Sequence, residues 1–382
     1  MEEYKKHKFI VITGDTGNAL GVVRSIGEAG IAPIVIYLVE ESHLPLLIKS
    51  KYLNTVHKVY SYEDAVDLLI KEYGNEKEKP FVYTCDDSIG SIIDERFDDL
   101  VEKFYFFNAG ETGRINQLMN KHTICEIAES CGFKIPKQEV VDRGVLPKKL
   151  KYPIITKTLM SIMGAWKGDV YICNNEEELK EAYSKIQSPK LLLQEYIEKK
   201  NELDFEGYSI DNGKQVCIPF QISYFRFSGK GYGHYIYIKP STNGTIKKQL
   251  AELIKKCNFS GCFEIEFLVD KNDQLWFLEV NFRFSFWNYA VTFGGINYPI
   301  SWAKDTLSNK VEDVEKGSIR QYFTAMSEPG DFGQSVAGGK ISFFKWLGQL
   351  LKSDMLFFYN PKDKLPALSF WFHKFTRKLK RV

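Results

Sequence analysis

The stretch from Gly261 to Arg283, GCFEIEFLVDKNDQLWFLEVNFR, constrains this chain more than any other. Two apolar runs flank the polar patch Asp270, Lys271, Asn272, Asp273, which predicts two strands joined by a short turn. Side chains alternate across a strand. Glu264 and Glu266 therefore share one face of the first strand, with Phe263, Ile265 and Phe267 on the other. Glu279, Asn281 and Arg283 share one face of the second. If the two polar faces coincide, several carboxylates, an amide and a guanidinium converge. Such a cluster is unfavourable in an apolar setting unless protons or a cation compensate it. Hard oxygen ligands of this kind suit Mg²⁺ (or Mn²⁺), commonly together with phosphate oxygens. A solvated strand face is the competing reading, and the apolar density of both runs argues against it.

The 382 residues allow two or three domains. A net charge of +2 provides no global field for nucleic acid. Seven scattered cysteines show no CxxC or Cys/His metal spacing, which fits a reduced, cytoplasmic chain. The N-terminal apolar run passes directly into a glycine turn and reads as a first strand rather than a signal peptide. No run is long enough to span a bilayer.

Phe9–Thr13, the turn and helix GDTGNALGVVRSIGEAG, and a strand over 31–39 form a βαβ unit. Its GxxGxxxG spacing departs from GxGxxG, so a structural Rossmann-like domain is expected rather than NAD binding. A strand over 80–84 ends in Asp86 and Asp87, each a candidate for lining a crevice beyond the sheet or for capping a helix. Helical spacing over 115–128 is followed by YPIITKTL, a strand with Lys157 embedded in it. A lysine there requires an anionic partner. The turn SIMGAWKGD carries Gly164, Lys167 and Gly168, and turn amides with a lysine can close over phosphates. A helix over 176–186, the strand LLLQEYIE, a strand turning at Asn212–Gly213, an aromatic stretch over 220–238 and a helix over 245–256 lead into the hairpin.

Taken in order, these pieces resemble the ATP-grasp superfamily over roughly residues 8–300, and within it the carboxylate–amine ligases related to D-aspartate ligase and the carbamoyl-phosphate synthase large subunit. NALGVVRSIG, LMNKHTICEIAESCGFKIPK and VTFGGINYP are similar to that subgroup. The resemblance implies an α/β (α+β) chain: a Rossmann-like pre-ATP-grasp domain (1–112), then an ATP-grasp fold whose two α+β subdomains clamp ATP (113–305, divided near 196). A C-terminal extension (306–382) follows. It implies that Lys121 and Lys157 hold ATP phosphates and that Ser161 to Gly168, including Gly164 and Lys167, closes over them. Gln194, Glu195, Tyr196 and Ile197 would read adenine, and Glu202 (alternatively Asp204) the ribose. Glu266, Glu279 and Asn281 would bind Mg²⁺, and Arg283, with Lys157, would act on the transferring group. The implied activity joins a small carboxylate to an amine through an acyl phosphate, releasing ADP and phosphate. A kinase and a non-catalytic nucleotide-binding protein are the rivals.

The chain departs from the family at the glycine-poor loop, at Phe282 in place of proline, and at the aromatic FSFWN. Arg226, Lys230 and His234 are candidates for holding a substrate carboxylate, from location alone. In the extension, the apolar spacing of Phe344, Leu347 and Leu351, and the basic end His373, Lys374, Arg377, Lys378, Lys380, Arg381, give two expectations. One is peripheral contact with anionic membrane. The other is packing on the catalytic body or on a second subunit, as in a homodimer.

Overall fold

The computed structural model describes all residues except 1, 40–45, 161, 163–165, 228–231, 243, 313–317 and 380–382, and the side chains of 166, 167 and 374–379. Ser161, Gly164 and Lys230, the Lys167 side chain, and the basic side chains from Lys374 onward therefore lie outside the described residues.

Three sheets organise the chain. The first contains β1 (Phe9–Thr13), β2 (Ile34–Leu38), β3 (Thr55–Val59), β4 (Phe81–Thr84) and β5 (Tyr105–Phe106), ordered β3-β2-β1-β4-β5, with all pairs parallel. Its central strands are apolar on both faces because helices cover both. Thr16 caps the Gly17–Glu28 helix through Ala19 N–H. A Cβ at Gly17 would stand 2.5 Å from the Phe286 ring, and Asn18 donates to Cys85 O and Phe284 O. The glycine turn thus packs against the segment that follows the strand Leu275–Asn281 of the third sheet.

The second sheet contains β6 (Gln138–Asp142), β7 (Ile154–Thr158), β8 (Ile172–Cys173) and β9 (Lys190–Glu195), ordered β6-β9-β7-β8. The third contains β10 (Lys199–Ile210), β11 (Gln215–Arg226), β12 (Tyr235–Pro240), β13 (Gly261–Asp270), β14 (Leu275–Asn281), β15 (Phe323–Met326) and β16 (Met355–Leu356), ordered β14-β13-β10-β11-β12-β15-β16. Along β13 the inward Phe263, Ile265 and Phe267 are buried, and they join the core that runs back to β1 and the Gly17–Glu28 helix.

The extension proves continuous with this body: β15 pairs with β12, and β16 with β15. In the Phe343–Lys352 helix, Trp346 is buried and donates to Asp331. In the Leu365–Leu379 helix, Ala367 is buried and Phe370 lies 4.9 Å from Phe358. Each helix thus touches the body along one side, through Trp346 and through Ala367 and Phe370, while Phe344, Leu351, Leu368 and Phe372 are exposed. Among the described residues, no helix is long and apolar enough to cross a membrane.

Candidate active site

Antiparallel registry places two rows of polar side chains side by side across β10, β13 and β14. Asp204 lies opposite Glu266, which lies opposite Glu279; Glu206 lies opposite Glu264, which lies opposite Asn281. Directly opposite residues share a face about 4.5–5.5 Å apart. The hairpin's polar faces therefore coincide, and β10 adds Asp204 and Glu206, with Glu202 farther along the same strand. A period-two pattern was present in NELDFEG, but it points to these carboxylates only once β10 is known to border β13.

A cavity of ≈ 430 Å³ opens onto this face. Lys121 and Met119 line one side, and Asn18 and Asp87, which follow β1 and β4 of the first sheet, line another. Tyr232, His234, Phe286 and Trp287 complete it. Asn120 caps the Lys121–Ser130 helix, fixing Lys121 at its first turn. Lys121 pairs with Glu279. Lys157 reaches Gln194 Oε1 at 2.8 Å. Asn281 Nδ2 donates to Glu264 (3.0 Å) and Glu266 (2.7 Å). Arg283 Nη2 donates to Asn281 Oδ1 at 3.2 Å, and Arg283 Nε to Asp87 at 2.6 Å. Asp86 does the other job considered for this pair, capping the Asp87–Glu95 helix through Ile89 N–H. Glu202 is held by Lys199 and by the Tyr224 hydroxyl.

Burial dominates the electrostatics. It pushes Glu206 and Glu264 up to about 8, with neighbouring carboxylates adding to the rise. Burial and then adjacent carboxylates also raise Asp204 and Glu266 well above the usual range. Glu279 goes the other way: burial would raise it, but Lys121 and then Lys157 hold it low. Burial, followed by the nearby Lys121 charge, lowers Lys157. For Lys121 the pull of Glu279 outweighs burial, and it is raised.

The buried oxygens Asp204 Oδ1 and Glu206 Oε2 have no hydrogen-bond partner. A buried acceptor left unmade is costly, so this face favours an added cation or proton. Among the described residues, no three His, Cys, Asp or Glu side chains are gathered into a ready metal cage.

The raised carboxylates predict a pH effect with a definite sign. Glu206 and Glu264 bind protons in the folded state up to about pH 8 but in the unfolded chain only to roughly 4.3. The folded state therefore holds the extra protons across this window, and stability falls as pH rises through it. In EDTA, the melting temperature should drop by several degrees between pH 6 and pH 9. Glu264→Gln should flatten the decline. An equal decline in that variant would contradict the assignment.

Not every expected residue joins the cavity. Arg226 pairs with Asp331 (2.7 Å) and donates to Gln349 (2.7 Å), so its guanidinium is committed to the extension and does not line the cavity, a correction to its expected substrate role. His234 does line it. Gln194 is buried beside Lys157, while Gln194 to Ile197 and the exposed Gly168 lie off this cavity, along the strand end and loop of the second sheet. The unforeseen lining residues include Asn18, Met119, Tyr232 and Val280.

Residues 115–301 match the family described as the carbamoyl-phosphate synthase L chain, ATP binding domain. Over 176 residues the chain is 28% identical to the N5-carboxyaminoimidazole ribonucleotide synthase of Staphylococcus aureus strain COL, covering 44% of this chain and 45% of that protein. The chain thus spans about half the length of that curated relative. The crystal structure of the L-amino acid ligase from Bacillus licheniformis superposes with a TM-score of 0.62 at 15% identity, over 83% of this chain and 79% of that one. The biotin carboxylase domain dimer of Hydrogenobacter thermophilus 2-oxoglutarate carboxylase, in complex with MgADP, ADP and bicarbonate, gives 0.62 at 18% identity over 83% and 73%.

Proposed function

From the match of residues 115–301 to the carbamoyl-phosphate synthase ATP-binding family, we propose that the chain is an ATP-grasp enzyme, an ATP-dependent carboxylate–amine ligase forming an amide bond through an acyl phosphate with release of ADP and phosphate. The observation that carries this reading is the Asp204–Glu266–Glu279 row, with Glu279 kept ionised by Lys121, facing a cavity bounded by Arg283.

A carboxylate is a poor acyl donor. Its oxygen takes the terminal phosphoryl group of ATP and ADP leaves. An amine then attacks the acyl carbon, the C–O bond to phosphate breaks, and the ammonium proton is lost. The protein's task is to position, neutralise and exclude water. Lys121 and Lys157 hold phosphate oxygens. Arg283, oriented by Asp87 and Asn281, faces the transferring group. Glu266, Glu279 and Asn281 would hold Mg²⁺, which supplies charge neutralisation on the phosphates when bound. Glu202 receives the ribose, and Gln194 to Ile197 the adenine. The substrates are small molecules.

The test is Mg²⁺-ATP turnover on purified protein, resolving ADP from AMP, with and without pooled D- and L-amino acids and small carboxylates. ADP release that depends on a pool is expected. AMP release would refute the acyl-phosphate route, and a phosphorylated product that persists without any amine would make the protein a kinase.

A further inference from the structure

The cavity's aromatic wall is built in two layers, and the second layer comes from beyond residue 301. Phe286 and Trp287 line the cavity. Behind them stands Phe357, completely buried, its ring stacked on Phe286 at 4.1 Å between centroids and 26° between planes. Trp287 meets the same ring edge-on at 6.1 Å. The Gly17 turn closes the layer from the first domain: a Cβ there would be 3.2 Å from Phe357 and 2.5 Å from Phe286.

The backbone around Phe357 is pinned on every side. Its N–H donates to Met326 O at 2.9 Å, at the end of the β15–β16 pair. The next two N–H groups, of Phe358 and Tyr359, both donate to the buried Glu328 carboxylate at 2.8 Å. Arg24, wholly buried in the first domain, donates to Phe357 O (2.5 Å) and Phe358 O (3.1 Å) and pairs with Asp363 (3.1 Å). Ser50 Oγ and Lys51 N–H fix the same carboxylate at 2.9 Å each. Three separate parts of the chain thus hold one phenyl ring against the back of the cavity wall. Close-packed interiors transmit displacement rather than absorb it, so the size of residue 357 sets where Phe286 stands.

We infer that segment 355–363 backs a specificity-determining wall of the cavity formed by Phe286 and Trp287, and that Phe357 is a positioning residue acting through these two side chains on an apolar portion of the organic substrate. This rests on the proposed ligase reading for the identity of the occupant, but not for the mechanics of the wall. Phosphate-holding Lys121 and Lys157 belong to other elements and make none of the contacts that fix Phe357. Changes at 357 therefore act on the organic substrate and spare the nucleotide.

Phe357→Ala and Phe357→Leu are to be compared with wild type using a panel of single D- and L-amino acids as stimulators of ADP release. The expected result is at least a tenfold rise in KM for the best wild-type stimulator in Phe357→Ala, a shift of preference toward larger apolar side chains, and KM for Mg²⁺-ATP within twofold of wild type. Phe357→Leu, which keeps an apolar side chain, should fall between. An unchanged panel and KM in folded Phe357→Ala would overturn the inference, as would a nucleotide KM that rises in parallel. A wild type that no panel member stimulates counts against the ligase reading alone. The wall is then read from a crystal structure of the more conservative Phe357→Leu variant: Phe286 shifted into the vacated space supports it, and an unmoved ring overturns it.

Discussion

Replacing Glu279 with Gln is expected to lower ADP release by at least about 10²–10³-fold, the scale of losing one preorganised charge-stabilising group. Glu279 differs from its neighbours in the row. Asp204 and Glu266 are pushed up by burial and by one another, whereas Lys121 and Lys157 keep Glu279 charged. It is therefore the carboxylate of that row already ionised to meet a cation, and also the counter-charge for Lys121. The amide keeps the shape but removes both functions. Mg²⁺ titration of ADP release should shift to much higher concentration, while circular dichroism remains that of wild type. Glu202→Gln provides the contrast: away from the proposed metal ligands, it should raise KM for ATP and leave kcat nearly unchanged. Wild-type rates in Glu279→Gln would refute the assignment of the metal.

The hairpin was legible because a period of two is a local property. Glu264, Glu266, Glu279 and Asn281 declare their faces in the sequence itself. A bulge was not legible: Glu266 pairs with Glu279, yet Phe267 pairs with Phe277, so Leu278 is the extra residue. That bulge lets Phe277 turn into the core, fully buried, while Glu279 stays with the carboxylates. The third strand of the site was hidden for a different reason. Glu202, Asp204 and Glu206 alternate plainly, but their meaning depends on β10 lying beside β13, a pairing that tertiary context decides. Arg226 shows the same limit from the other side. A cation among aromatics and glycines suggested a substrate anion, and the partner proved to be Asp331, more than a hundred residues away. The extension carried helical periodicity and a basic end, and neither feature revealed that two short strands would join it to the central sheet.

Arg24→Ala is expected to destabilise the folded protein by about 3–5 kcal/mol, the range for breaking a fully buried ion pair from one side. Both members of the Arg24–Asp363 pair are completely buried. Removing the guanidinium leaves Asp363 charged in the interior with only Ser50 and Lys51 to satisfy it, and strips the donors from Phe357 O and Phe358 O. Attraction between the two charges is not what makes the pair costly to break; the desolvated partner left behind is. That distinction is measurable. Arg24→Met and Asp363→Leu should each be strongly destabilising, and the double variant should recover a large part of the loss because no charge is stranded. Urea midpoints for the four proteins give the cycle. If the double variant loses the sum of the single losses, the two side chains act independently and the latch between the first domain and segment 355–363 is not an ion-pair latch. Recovery in the double variant would locate the coupling between the chain's two ends in this one contact. The carbonyls of Phe357 and Phe358 would still lack their donor, so the recovered protein should remain below wild type.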